Sequence, residues 1–159
     1  MQRYAIVLSA ITLLLTTPVL AQQSLLRDFS EEQCRRHLTN ARRLHATGAV
    51  TEALMVFEEG TNECEDHAPL LADYGWVLVL SGQPAEGVRI LERAYMAASA
   101  PRQRAAILHS LGVAQENLGA HRSAMNAYLG SLHLRSSAAT SARARSLSHR
   151  HHRTHPDAP

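Results

Sequence analysis

The sequence predicts an all-α chain built as a short α-solenoid, a stack of about three helix hairpins closed by a C-terminal capping helix, and three observations carry that prediction. Glycines recur at a fixed interval: Gly82 follows Gly48 by 34 residues and Gly119 follows Gly82 by 37. Each glycine keeps the same company. Small residues precede it (Ala41, Gly75, Gly112) and follow it (Ala53, Gly87, Ala124), and a large apolar residue comes one helical turn later (Phe57, Leu91, Tyr128). Third, Pro69, Pro84 and Pro101 fall where new helices would start, the place where the missing N–H of proline is tolerated. Each feature has a physical role in a hairpin. Glycine can take the left-handed conformation that ends a helix. Small residues let two helix backbones approach, and the large one fills the groove against the neighbouring unit.

Taken in order, the elements are seven helices. Ser30 with Gln33 forms a capping box that opens the first, which runs to about Thr47. The others cover about 50–62, 69–81, 84–98, 101–118, 121–134 and 137–148. The last, SSAATSARARSL, has a weak apolar side of Ala138, Ala142 and Leu147 and reads as the polar cap that a stack needs at its open end. Residues 22–30 are expected to be a linker, and residues 149–159 a disordered tail rich in His and Arg.

A period near 34 residues with small, small, small and aromatic positions resembles the tetratricopeptide repeat family over about residues 31–135, with units near 34–67, 68–101 and 105–138. The chain departs from the family pattern in two ways. The tryptophan near the start of each unit is replaced by His37, Leu71 and Leu108, and the closing proline by Glu65, Ser99 and Ser136. The resemblance implies a concave surface lined by the first helix of each pair, which in that family binds peptide segments of other proteins. Carried over position by position, the groove would present Leu38, Arg42 and His45, then Asp73, Trp76 and Val79, then His109, Val113 and Glu116. The subclass that clamps a terminal carboxylate uses Lys and Asn; Leu38 and Ala72 stand at two of its positions, so that specificity is not implied. Trp76, the sole tryptophan, is either a mid-groove anchor, a role suited to large aromatics, or a residue packed between helices.

The N-terminus reads as a cleaved leader. In MQRYAIVLSAITLLLTTPVLAQQ, Arg3 supplies the positive charge, Ala5 to Leu15 an apolar core too short to span a bilayer, and Val19 and Ala21 the small-residue cleavage site. The mature chain would start at Gln22, be periplasmic or secreted, and hold no transmembrane segment. Two cysteines, Cys34 and Cys64, open the first helix and close the second of the inferred hairpin. Antiparallel packing brings those ends together, and export delivers the pair to an oxidising compartment, so a disulfide is expected. A zinc site using both cysteines would need partners such as His37 and His67, and a redox pair would more often be Cys-x-x-Cys.

Charge is uneven along the chain. From Gln22 to Ala120 nine Arg face thirteen acids, whereas from His121 onward six Arg face Asp157 alone. There is no lysine, which reads as the codon bias of a GC-rich bacterial genome and excludes a phosphate-loop or Schiff-base lysine. No catalytic motif stands out: there is no Gly-x-Ser-x-Gly elbow and no His-Glu-x-x-His. The acidic run EEGTNECED reads as a solvated helix end, and no cofactor is implied. The expected function is therefore an exported scaffold that binds a peptide or protein of the cell envelope, without turnover. One alternative is metal binding by His149, His151, His152 and His155 in the tail. Another is a structural module that docks through the second helices near Glu58 and Glu59. Nucleic acid is a poor fit, because export separates the chain from it and the tail has no stacking aromatics.

Overall fold

The computed structural model describes the backbone of residues 2–154 and the side chains of residues 22–150. The expected leader, residues 1–21, and His151, His152 and His155 lie outside the described side chains. Among the described residues seven helices follow one another: α1 (Gln2–Ala46), α2 (Val50–Glu63), α3 (Ala68–Leu80), α4 (Pro84–Ala97), α5 (Pro101–Asn117), α6 (His121–Leu134) and α7 (Ala138–Thr154). Each packs on its neighbours in the chain, α3 also packs on α1 and α5, and no strand occurs among the described residues. The architecture is an all-α, solenoid-like stack of hairpins α1–α2, α3–α4 and α5–α6, with α7 laid on the end.

The three hairpins turn in the same way because the same short-range chemistry ends each first helix. Gly48, Gly82 and Gly119 have φ of 83°, 80° and 73°. In the first turn the N–H of Gly48 donates to the His45 carbonyl at 3.1 Å and that of Ala49 to Leu44 at 3.0 Å. The pairs Gly82 to Val79 and Gln83 to Leu78, and Gly119 to Glu116 and Ala120 to Gln115, repeat the pattern. Each is a Schellman cap, in which the left-handed residue satisfies carbonyls that the helix leaves open.

The small residues lie where the helices of a pair touch. A Cβ on Gly112 would sit 2.3 Å from Tyr128 Cε1, and one on Gly75 2.7 Å from Leu91 Cγ. Phe57, Leu91 and Tyr128 are all fully buried, as the spacing predicts. The core has two parts. A smaller one gathers Cys34, Leu38, Ala41, Phe57, Cys64, Leu70 and Val77; a larger one runs from Leu71 through Leu91 and Ile107 to Tyr128 and Leu147. Leu54 and Tyr74 pack against both, and Tyr74 stacks on Phe57 with ring centroids 5.7 Å apart.

The structure corrects four expectations. The linker expected over 22–30 is helix, because α1 runs through Ser30 without a break. The capping box is therefore not made: no helix begins there, and the Gln33 side chain instead donates to Glu63 Oε2 at 2.5 Å. The tail expected to be disordered from 149 continues α7 to Thr154, where no Gly or Pro intervenes and Arg150 bonds back to Glu116. Finally, the buried stripe of α7 is Thr140, Ala144 and Leu147, while Ala138 and Ala142 are exposed. Leu147 sets the inward direction, and helical periodicity then brings Ala144 and Thr140 to that face.

Candidate functional site

An open groove of about 550 Å³ runs across the first helices of the hairpins and is closed at one end by α7. Its floor and walls come from Arg42 of α1, from Ala72, Asp73 and Trp76 of α3, and from Gln103, Ala106, His109 and Ser110 of α5. Arg135, Ser137 and Thr140 complete the far wall. Helical spacing places Ala72, Asp73 and Trp76 on one face of α3, and Gln103, Ala106 and Ser110 on one face of α5.

Two polar contacts shape the walls. Arg42 Nε donates to Asp73 Oδ2 at 2.5 Å, an exposed ion pair joining α1 to α3 across the groove. His109 Nδ1 is 2.9 Å from the hydroxyl of the buried Thr140, which ties α5 to α7. Burial and then the charge of Arg143 lower the His109 pKa, which favours the neutral imidazole. Trp76 is half-buried: it packs against the larger core and also lines the groove. The two readings of this tryptophan are therefore not exclusive.

Behind the groove, a carboxylate adds a second polar tie between α7 and the third hairpin. Glu116, with 13% of its side chain exposed, accepts from the Tyr128 hydroxyl at 2.6 Å, from Arg143 Nη1 at 3.2 Å and from Arg150 Nη2. Burial alone would raise its pKa. The hydrogen bonds from Tyr128 and Arg143 and the charge of Arg150 outweigh that, so the carboxyl titrates below its ordinary value. The Tyr128 hydroxyl is pushed up, by burial first and then by Glu116.

The nine residues expected to face the groove thus divide. Arg42, Asp73, Trp76 and His109 line it together. Leu38, Val79 and Val113 are core residues instead. Leu38 packs with Phe57 and Leu70, while Val79 turns toward α4, its Cγ2 lying 2.6 Å from where a Cβ on Gly87 would stand. Val113 shares the larger core with Ala144 and Leu147, because α7 covers the third hairpin at the position that Trp76 holds in the second. His45 is half-buried outside this groove, and Glu116 is spent on α7. Sequence reasoning missed Gln103, Ala106, Ser110, Arg135 and Thr140. The first three were within reach, since they form one helical stripe.

Cys34 and Cys64 are joined, with Cα atoms 5.8 Å apart and both side chains buried. His37 and His67 have other partners: His37 Nε2 is 3.0 Å from Glu63 Oε2, and His67 Nδ1 accepts from the Leu70 N–H at 3.2 Å, capping α3. His149 is exposed on α7, and no cluster of three or more His, Cys, Asp or Glu side chains able to hold a metal occurs among the described residues. Nor, among those residues, is any helix long and apolar enough to cross a membrane. Fold and groove together define an all-α, solenoid-like stack with an open groove across its first helices. No family model matches the sequence, and no curated protein is significantly similar to it.

Proposed function

We propose that the chain is an exported protein–protein interaction scaffold of the tetratricopeptide kind, and that the groove across α1, α3 and α5 seats a segment of a partner protein of the cell envelope. One observation carries this reading: a half-buried tryptophan stands mid-groove with polar groups on both sides, the ion pair Arg42–Asp73 on one and Gln103, Ser110 and Arg135 on the other. Apolar area with few placed polar groups is the usual make-up of a recognition site, and a partly exposed aromatic offers a large contact area at low entropic cost. The walls are helices held by the core, so the surface is ordered before a partner arrives. Recognition would proceed by shape and polar complementarity, with no bond made or broken. The buried disulfide suits a compartment that keeps cysteines oxidised.

The test is affinity enrichment from native envelope extract with oxidised protein as bait, beside Trp76→Ala and Leu129→Ser. Leu129 is exposed on α6, away from the groove. A protein retained by wild type and by Leu129→Ser but lost with Trp76→Ala, while circular dichroism shows the variant folded, supports the groove. Retention that survives Trp76→Ala and fails with Leu129→Ser moves the function to the second helices.

A further inference from the structure

The first turns of the described part of α1 stand clear of the bundle. Every residue from Gln22 to Ser30 is exposed, and among them Leu25, Leu26 and Phe29 expose 59%, 64% and 75% of their surface. Helical periodicity puts these three on one stripe. That stripe does not continue the core: α1 packs on its hairpin through Cys34, Leu38 and Ala41, which lie on the opposite face. Followed along the helix, the outer stripe instead reaches Arg36 and Arg43, each two turns beyond the last, at Phe29, Arg36 and Arg43. Glu32, Arg35, Arg36, Asn40 and Arg43 line a shallow trough there. Glu32 is shared by Arg35 and Arg36, Arg43 bonds the neutral Asn40, and with exposed Asp28 counted three arginines face two carboxylates, so the face keeps one net positive charge.

We infer that this outer face of α1 is a seat for an anionic membrane surface, with Leu25, Leu26 and Phe29 entering the interface and Arg36 and Arg43 meeting lipid phosphates. Exposed leucines and phenylalanine joined to arginines are what an interfacial helix presents, and each arginine near an anionic leaflet adds attraction. The stripe lies on the opposite side of α1 from the packed face and takes no part in the groove, so a flat surface can reach it while the groove stays open. A second copy of the chain is a poorer occupant. Three side chains cover far less than the roughly 800 Å² per partner of a stable dimer, and lengthening the contact along α1 would set arginines against arginines.

The test mixes the chain from Gln22 onward, the expected exported form, with phosphatidylcholine vesicles prepared with and without phosphatidylglycerol, and reads co-sedimentation at low and high salt. Leu25→Ser/Leu26→Ser/Phe29→Ser and Arg36→Gln/Arg43→Gln are run beside wild type. All five side chains are exposed, so melting temperatures should match wild type and report that folding is intact. Wild type should bind only the phosphatidylglycerol vesicles, each variant should lose about tenfold in affinity, and high salt should weaken binding further. No binding, or equal binding to both vesicle types that neither variant changes, overturns the inference. So does a dimer in analytical ultracentrifugation that the triple variant dissolves while vesicles capture nothing.

Discussion

The two ends of the stack are closed by different means, and the contrast shows what a short solenoid requires. The first hairpin packs on the smaller core, in which Leu70 and Val77 of α3 join its own residues around Phe57, and a covalent bond ties the start of its packed segment to the end of α2. The third hairpin shares the larger core and has no cross-link. There, an added helix covers Val113, and Glu116 holds it through Tyr128, Arg143 and Arg150. Each unit of a solenoid depends on its neighbours for a face to pack against. An end unit lacks one neighbour, and this chain answers that lack with a staple at one end and a cap at the other. The groove lies between these two devices, lined by Arg42 of the stapled hairpin and by Thr140 of the cap.

If that contrast is right, the ends should fail separately. The largest effect is expected from Tyr128→Ala, which opens a cavity beside Gly112 and removes a donor to Glu116; it should cost about 3–5 kcal/mol. Hydrogen exchange should show protection lost in α5–α7 and kept in α1–α2. Reducing the disulfide, or Cys34→Ser/Cys64→Ser, frees a cross-link of sequence separation 30 and should cost about 3–4 kcal/mol by the loop-closure model. Its exchange pattern should be the converse. Gly112→Ala, which drives a methyl into the Tyr128 ring, should cost about 1–3 kcal/mol and follow the pattern of Tyr128→Ala. If either of the first two changes unfolds both ends equally, the stack is one cooperative unit and the contrast carries no energetic meaning.

A smaller effect concerns pH. Glu116 and His109 both have lowered pKa values in the folded chain, so the folded state binds fewer protons than the unfolded one. For either group the stabilisation is present above its unfolded pKa and is lost as pH falls toward its folded pKa. Acidification should therefore loosen α7, first through His109 below the ordinary histidine range and then through Glu116 below the ordinary glutamate range. Thermal melts of wild type and of Glu116→Gln across that interval check this. The variant should start less stable and lose less as the pH drops.

Much of the fold was legible because its determinants are local. Gly48, Gly82 and Gly119 end helices through bonds to residues three and five positions back, and Pro69, Pro84 and Pro101 start them, so neither feature depends on the rest of the chain. The disulfide was legible for a related reason, since hairpin topology alone brings Cys34 to Cys64. What failed depends on distant partners. A serine followed by a glutamine caps a helix only if the chain leaves the helix there, and at Ser30 it does not. Whether Val113 faces a groove or a core depends on where α7 lies, and the reach of α7 past residue 148 rests on Arg150 meeting Glu116, 34 residues away. The groove was half legible: the helices were right, but the inward and outward sides of α3 are both apolar, so Trp76 could be assigned to the groove while Val79 was misassigned.

The most direct test of the central claim, that function resides in the groove, is photocrosslinking in the living cell from a benzophenone side chain placed at Ser110, with a second placed at Leu129 on the outer face of α6. A discrete crosslinked protein is expected from position 110, none from 129, and loss of the product when Trp76→Ala is combined with the probe. A discrete product from position 129 with none from position 110 would contradict it.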